Sequence, residues 1–181
     1  QIIGSTNWSF GGSRLTGPSG KIAVSMNESL GIGLKNLYMS GASNAVMFMS
    51  QSSYGALDNV VLADMSGDGV VINDSSSIAL LRAVITRCGG SGIRMTAGSV
   101  ILDSSVIWSN KLHALDVRGA SYISNSVLHA FGGSNACYNL NSNSLARVIA
   151  DNNCIYFSGG ARPALVDNIP IEGMLQWTRT T

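Results

Sequence analysis

Two aspartates stand at matching places in the sequence, each three residues before a short apolar pair. Asp103 precedes Val106, Asp151 precedes Cys154, and Ser124 holds the same place before the pair between them. If these pairs mark successive turns of one repeat, neighbouring strands lie about 4.8 Å apart and the two carboxylates about 9.6 Å apart. Inverting glycosidases hold their acid and base up to about 9.5 Å apart, so Asp103 and Asp151 are candidate catalytic residues. The alternative is that both carboxylates cap turns.

A second set of candidate catalytic residues combines cations with a histidine: Arg94, Arg118 and Lys111 with His113. A polysaccharide lyase needs a base to take the C5 proton of a uronate and a cation to neutralise the uronate carboxylate. Asp116 matches Arg94 in the next repeat, so we expect the two side chains to pair, with Asp116 among the substrate-binding residues. The alternative is an exposed ion pair worth about 0.2–1 kcal/mol.

Ring side chains recur two residues after three successive apolar pairs. Trp108, His129 and Tyr156 follow Thr86 at this place. On successive strands they would form an outward ladder about 10 Å long. Sugars bind flat aromatic rings through apolar contact, so we expect these three residues to bind substrate. The alternative is that they pack in a core or an interface.

The elements that must position these residues repeat with a period near 22. An Asn or small residue precedes each apolar pair, and a turn rich in Gly, Ser and Asn follows it. Short β-strands at this spacing are typical of a solenoid, whereas no window sustains a helical pattern. The pairs are Leu37-Tyr38, Val60-Val61, Val84-Ile85, Val106-Ile107, Val127-Leu128 and Cys154-Ile155.

Asparagines at one turn of the repeat carry a family resemblance. Asn36, Asn59 and Asn153 are expected to stack and hydrogen-bond between coils, which resembles the asparagine ladders of the pectate-lyase-like superfamily. The Asn-rich segment 151–157, followed by Leu175-Gln176-Trp177, is similar to the closing segment of bacterial β-helix proteins. The resemblance covers roughly residues 30–157. It implies an all-β, right-handed parallel β-helix, with coils of roughly 21–27 residues, of the polysaccharide lyase or phage tailspike type.

The chain divides into three parts on this interpretation. Residues 1–29 hold irregular coils that continue from a longer chain, since both ends of the sequence look like cuts. Residues 30–157 form the regular coils. Residues 158–181 form a short cap that packs Trp177 over the last coil, because an uncapped solenoid exposes core and backbone.

The strands lack the alternation expected of a sheet with one face in water. We expect one column to point inward: Val61, Ile85, Ile107, Leu128 and Ile155. The outward column is then also apolar: Val60, Val84, Val106, Val127 and Cys154. An exposed apolar stripe is unusual on a monomer, which favours a homotrimer, as in tailspikes, or cover by other parts of the same chain. The alternative is a corner that turns both columns inward.

Composition excludes several partners. Charged residues make up 12% of the chain and the net charge is +1, without the basic patch that a nucleic-acid binder needs. No run is long enough for a membrane span. The uncharged Ser, Asn, Gly and Thr surface favours an extracellular, cell-surface or virion location.

Cofactors and cysteines give weak signals. Asp64 and Asp68 frame a loop faintly similar to a calcium site, but the other ligands are missing, so no metal ligand and no cofactor is assigned. Cys88, Cys137 and Cys154 are expected to be buried small residues, with a Cys137–Cys154 bridge left open.

Three functions remain. The first is a carbohydrate-active β-helix that binds an extracellular or cell-surface polysaccharide and, as a lyase or glycosidase, cleaves it; whether it is an enzyme stays open. The second is a carbohydrate-binding adhesin without catalysis. The third is a structural solenoid of a cell-surface or virion assembly.

Overall fold

A computed structural model describes residues 2–3, 13–28, 31–48, 53–141 and 147–171, and its elements there are all strands. Short segments rich in Val and Ile, separated by Gly, Ser and Asn, favour strands over helices. The strands are β1 (Ile2–Ile3), β2 (Arg14–Thr16), β3 (Ile22–Met26), β4 (Ile32–Ser40), β5 (Asn44–Phe48), β6 (Tyr54–Ala63), β7 (Val70–Ile72), β8 (Ser77–Leu81), β9 (Val84–Thr86), β10 (Ile93–Met95), β11 (Ser99–Asp103), β12 (Val106–Trp108), β13 (Leu115–Val117), β14 (Ala120–Ser124), β15 (Val127–Phe131), β16 (Ala136–Leu140), β17 (Val148–Asp151), β18 (Cys154–Ser158), β19 (Arg162–Val166) and β20 (Ile169–Ile171).

These strands stack as a parallel β-solenoid with two sheets. The 12-stranded sheet runs β17-β14-β11-β8-β6-β9-β12-β15-β18, with β4 joined to β1, β2 and β6. The 8-stranded sheet runs β20-β19-β16-β13-β10-β7-β5-β3. Each strand except β20 pairs in parallel with a counterpart one coil away, so side chains at one place in the repeat form columns along the solenoid axis. The predicted parallel β-helix is confirmed.

A left-handed corner bends the larger sheet at the same place in every coil. The corner residues have φ between 50° and 56°, a conformation that Asn adopts more readily than most residues. They are Asn36, Asn59, Arg82, Ser104, Asn125 and Asn152. The corner explains why one apolar pair per coil could be found in the sequence, because the pair begins one or two residues after it.

Two hydrogen-bond ladders follow this corner. The Asn59 side-chain amide donates to the Asn36 side-chain oxygen over 2.7 Å. Farther along, the backbone N–H of Ala83, Ser105 and Ser126 donates in turn to the side-chain oxygen of Ser105, Ser126 and Asn153. Asn153 therefore lies one position beyond the Asn36–Asn59 place, so the predicted three-asparagine stack is wrong in that member, and serines complete the second ladder.

The register differs from the prediction in one coil. Val61 pairs with Val84, and Leu62 pairs with Ile85. Val60 is buried and Val61 is partly exposed, so Leu62 belongs to the inward column and Val61 to the outward one. The run Val60–Leu62 holds three apolar residues in succession, and the corner at Asn59, not the apolar pair, sets its register.

Close stacking of coils requires glycine at one turn. Gly98 has φ +93°, and a Cβ added there would lie 2.0 Å from the Ser76 backbone oxygen. No side chain fits that space. The turn before β11 is thereby fixed against the turn before β8.

The parallel coils extend at both ends of the described chain. Strands β1 and β2 pair in parallel with β4, and β3 pairs with β5. Strand β19 pairs in parallel with β16, and β20 then folds back antiparallel on β19. Trp177, the predicted capping residue, lies outside the described residues.

All three cysteines are free. Cys88 and Cys137 are buried, and burial raises the pKa of Cys88 to about 11 and that of Cys137 to about 12. Both thiols therefore stay protonated at neutral pH. Cys154 is exposed because it stands in the outward column of the last coil of the larger sheet, so its predicted burial is wrong, and no Cys137–Cys154 bridge forms.

Candidate functional site

Three rings stack on the outward side of β12, β15 and β18. The ring centroids of Trp108 and His129 lie 4.2 Å apart, and those of His129 and Tyr156 lie 5.3 Å apart. The rings are close to parallel, with interplanar angles of 13° to 23°. Trp108 is 38% exposed and Tyr156 51% exposed. These residues form the aromatic cluster.

The aromatic cluster is more compact than the predicted ladder. Trp108 and Tyr156 stand two coils apart, about 9.6 Å in backbone spacing, but their ring centroids are only 5.6 Å apart. The two outer side chains therefore lean toward each other and cover His129, which is 7% exposed. The predicted length of about 10 Å is wrong, because long aromatic side chains can tilt along the axis.

His129 has a structural role within the aromatic cluster. Its Nδ1 atom accepts the backbone N–H of Ser109 over 3.2 Å, which requires a neutral ring with the proton on Nε2. Burial lowers the pKa of His129, so the ring is uncharged at neutral pH. Trp108 and Tyr156 thus provide the exposed, uncharged area that a ligand can contact.

Asp103, Ser124 and Asp151 share one outward column, as the sequence predicts. The Asp103 carboxylate accepts hydrogen bonds from Ser124 Oγ at 2.7 Å, Asn125 Nδ2 at 2.9 Å and Ser104 Oγ at 3.0 Å. The Ser124 hydrogen bond, followed by those of Asn125 and Ser104, lowers the pKa of Asp103. Asp103 is therefore a carboxylate at neutral pH, which does not suit a general acid.

Asp151 is exposed and has a sparser environment. Its Oδ2 accepts the Asn152 side-chain amide at 3.1 Å. Within the described part of the chain, no cationic side chain forms an ion pair with Asp151 or Asp103.

A further outward column escaped the sequence prediction. Ile101 pairs with Tyr122, and Tyr122 pairs with Ile149, and all three side chains are exposed. Each precedes a member of the Asp103 column by two residues, so both columns lie on one face. The alternation of buried and exposed side chains in β11 is what could have predicted this column, because Val100 and Leu102 are buried on either side of the exposed Ile101.

The outward surface of these coils therefore has an ordered cross-section. The apolar column of Ile101 comes first, then the carboxylate and hydroxyl column of Asp103, then the left-handed corner, a valine column, and the aromatic cluster. We call this surface, on residues 99–103, 106–108, 120–124, 127–129, 148–151 and 154–156, the later-coil face. Apolar contact area and hydrogen-bonding groups alternate across it.

Comparison with known proteins assigns the family but no substrate. A family model described as "Right handed beta helix region" matches residues 1–168. The chain belongs to this family. No curated protein and no solved structure gives a significant match. The protein is thus a right-handed β-helix protein, and its resemblance to the pectate-lyase-like superfamily or to tailspikes stays a prediction.

The two predicted catalytic sets of the β-helix protein lie in different places, Asp103 and Asp151 on the larger sheet and the second set on the smaller sheet and the loop before it. Arg94 and Asp116 lie opposite each other on β10 and β13 of the smaller sheet, as expected from the repeat. They do not pair, so that prediction is wrong. Arg94 binds Asp68 of the preceding coil at 2.7 Å, and Asp116 binds Arg118 at 3.1 Å and the Asn139 amide at 2.9 Å.

Lys111 and His113 lie in the loop that joins the two sheets. Lys111 is exposed, and its backbone N–H donates to the Cys88 carbonyl. His113 Nδ1 accepts the backbone N–H of Ala136 at 3.0 Å. Burial lowers the pKa of His113, against an opposing effect of Asp116. His113 is thus neutral and occupied at Nδ1 by a coil-to-coil hydrogen bond, as His129 is.

The two aspartates of the calcium-like loop are both held by arginines. Arg87 donates two hydrogen bonds to Asp64, at 2.7 and 2.9 Å. Hydrogen bonding by Arg87 lowers the pKa of Asp64. Asp68 binds Arg94 and accepts the Ser91 backbone N–H. Within the described residues, no group of three or more His, Cys, Asp or Glu side chains is arranged to hold a metal ion.

The outward valine column is partly exposed, as expected for four of its five members. Val84, Val106 and Val127 are half-buried and Cys154 is exposed; the fifth place belongs to Val61 in place of Val60. No helix of the described chain is long and apolar enough to cross a membrane.

Proposed function

We propose that this β-helix protein binds a polysaccharide of the extracellular space or a cell or virion surface on its later-coil face. The observation that carries the proposal is the stack of Trp108 and Tyr156 over His129, with both outer rings exposed. Sugar rings have flat apolar faces and polar edges, and an exposed aromatic ring matches such a face. An extended glycan can contact several coils at once.

The columns beside the aromatic cluster support the same ligand class. Asn125 displays an exposed amide group, and Asp103 and Asp151 display acceptors for sugar hydroxyls. Tyr122 adds a second exposed ring on the far side of the carboxylate column. Hydrogen-bonding groups set between apolar areas are typical of ligand sites.

Binding is better supported than cleavage. A glycosidase needs one carboxylic acid that stays protonated as general acid, whereas the three hydrogen bonds to Asp103 lower its pKa. The lyase set of Arg94, Arg118, Lys111 and His113 lies on the smaller sheet and its loop, and Arg94 and Arg118 are engaged by aspartates. Cleavage by Asp103 and Asp151 remains a prediction of the sequence.

The experiment compares binding to a panel of neutral, acidic and amine-bearing polysaccharides, with product release monitored in parallel. The variants are Trp108→Ala and Tyr156→Ala, and the matched control is Tyr54→Ala, which removes an exposed ring from an earlier coil. We expect the first two to weaken binding about tenfold, or ~1.4 kcal/mol, the scale of one aromatic contact. The control should bind as the unchanged protein does.

Two results would contradict the proposal. One is equal weakening by Tyr54→Ala and Trp108→Ala, which would place binding elsewhere. The other is no binding to any glycan together with self-association in light scattering, which would favour a structural solenoid that covers its valine column in an assembly. Product release lost in Asp103→Asn would instead add catalysis to binding.

A further inference from the structure

Neither aspartate of the later-coil face forms an ion pair among the described residues, and Arg82 of the adjacent coil, whose backbone N–H donates to the Asp103 carbonyl, binds Asp58 instead. Asp103 and Asp151 stand on the column between the apolar column of Ile101 and the aromatic cluster. Their hydrogen-bond donors are the neutral groups of Ser104, Ser124, Asn125 and Asn152. The stacked His129 adds no positive charge, because its Nδ1 accepts a backbone N–H.

The cations of this region stand at its margins. Arg147 comes immediately before β17, four residues ahead of Asp151, or about 13 Å along an extended strand. Lys111 follows Trp108 by three residues, beyond the buried Asn110. Neither forms an ion pair with an aspartate among the described residues.

The same column shows how this protein neutralises a carboxylate elsewhere. Asp58 lies two coils before Asp103 in register, and Lys35 binds it from one side at 3.0 Å while Arg82 binds it from the other. Ser124 and Asn125 replace cations around Asp103. Paired cations are therefore possible at this place of the repeat and are absent at Asp103.

Resting on the proposed function, we infer that the glycan bound on the later-coil face bears amino groups, so that ammonium groups of successive sugars face Asp103 and Asp151. A uronate polymer would bring its own carboxylates against the two aspartates, and like charges at close range repel. A neutral glycan can stack on the aromatic cluster but brings no positive charge to the two aspartates. An amine-bearing glycan can stack on the aromatic cluster and also place ammonium groups against the two aspartates.

The test uses one sugar backbone in three charge states. β-1,4-linked oligomers of glucose, glucosamine and glucuronate of equal length differ in charge but share ring shape and linkage. Binding is measured by calorimetry at about pH 6, at which aspartates are ionised and amino-sugar amines carry charge, and again at about 1 M salt, at which exposed charges are screened. The protein forms are the unchanged chain, the double variant Asp103→Asn/Asp151→Asn, and the control Asp74→Asn/Asp167→Asn, which removes the same charge from exposed turns elsewhere.

We expect the glucosamine oligomer to bind about threefold to tenfold more tightly than the glucose oligomer, as two exposed charge contacts allow, and the glucuronate oligomer to bind most weakly. The ratio of glucosamine to glucose affinity should fall to about one in Asp103→Asn/Asp151→Asn and at high salt. It should persist in the control at low salt.

Four results overturn the inference, and they separate it from the proposed function. Equal affinity for all three oligomers with loss in Trp108→Ala would keep glycan binding and reject the charge preference. Tightest binding of the glucuronate oligomer would also reject it. Failure of every oligomer, with failure of the wider polysaccharide panel, would reject both proposals. A preference that survives in Asp103→Asn/Asp151→Asn would assign the charge recognition to other residues.

Discussion

The earlier coils, residues 31–48 and 53–98, and the later coils, residues 99–141 and 147–158, present different surfaces at identical places in one repeat. Asp58 and Asp103 lie in the same column, but Lys35 and Arg82 neutralise the first, whereas two serines and an asparagine hold the second. The backbone at this corner is the same in both regions. The solenoid therefore fixes where a side chain points, and the residue type alone decides its chemistry.

A second corner repeats the contrast. Asp64, Arg87 and Ser109 all have φ between 54° and 57°. In the earlier coils this corner carries the Asp64–Arg87 ion pair. In the later coils Ser109 instead donates its backbone N–H to His129 beside Trp108. On the larger sheet, ion pairs thus line the earlier coils, and apolar rings and carboxylates without ion pairs line the later ones, which is why we assign ligand binding to the later coils.

The largest expected effect concerns the boundary between the two regions, where Gly98, the residue before the later coils, lies against Ser76 of the preceding coil. Gly98→Ala places a Cβ 2.0 Å from the Ser76 backbone oxygen at φ +93°, so the strained conformation and the clash add together. We expect a loss of about 2–4 kcal/mol in the free energy of unfolding, measured by urea denaturation.

Gly20→Ala is the matched control for this contact. Gly20 also has a positive φ, +75°, but nothing lies within 4 Å of an added Cβ. Only the left-handed conformation is then penalised, by about 1–2 kcal/mol. Equal losses in the two variants would mean that the coils can separate at Gly98, and the later coils would then not be held rigidly against the earlier ones.

The sequence predicted the repeat well because solenoid geometry is local. Each apolar pair follows a corner, so the period is readable without knowledge of long-range contacts. The columns of Asp103 and of Trp108 followed from counting residues before and after the apolar pair. The one wrong register, at Val61, arose where three apolar residues in succession hid the corner position that Asn59 occupies.

The partners of individual side chains could not be predicted by counting residues in this way. Arg94 faces Asp116 in register but binds Asp68, because a long side chain reaches either neighbouring coil and Asp116 is engaged by Arg118 and Asn139. The tilt of Trp108 toward Tyr156 is likewise a matter of side-chain rotamers. Columns are a property of the backbone, whereas contacts depend on side-chain length and competition.

An intermediate effect tests the contrast between Asp58 and Asp103 directly. Asp58→Asn leaves Lys35 and Arg82 without their shared carboxylate, so we expect a loss of roughly 0.5–1.5 kcal/mol at low salt, since each exposed pair contributes about 0.2–1 kcal/mol. Asp103→Asn keeps a side-chain oxygen for Ser124 and should change stability by less than about 0.5 kcal/mol.

Urea denaturation of both variants in low salt and in about 1 M salt measures this difference. Screening weakens ion pairs between exposed groups, so the gap between Asp58→Asn and Asp103→Asn should close at high salt. A gap that stays the same in both salt conditions would show that Asp58 acts through local hydrogen bonds, and the electrostatic contrast between the regions would fail.

The smallest effect is a pH dependence confined to the later coils, which hold both histidines of the chain. Burial lowers the pKa of His113 and of His129 below the ordinary 6.5. The unfolded chain therefore binds protons that the folded protein does not bind, and the stabilisation is complete above pH 6.5 and declines as the pH falls from there.

Protonation of the two histidines would also remove the Nδ1 acceptors that hold Ala136 and Ser109. We expect lower stability at about pH 5.5 than at about pH 7.5. In His113→Asn/His129→Asn, whose neutral side chains keep an acceptor oxygen, the decline over this window should disappear even if the variant is less stable overall. An unchanged decline in that variant would mean that groups outside the later coils titrate, and would remove pH sensitivity from the list of differences between the two regions.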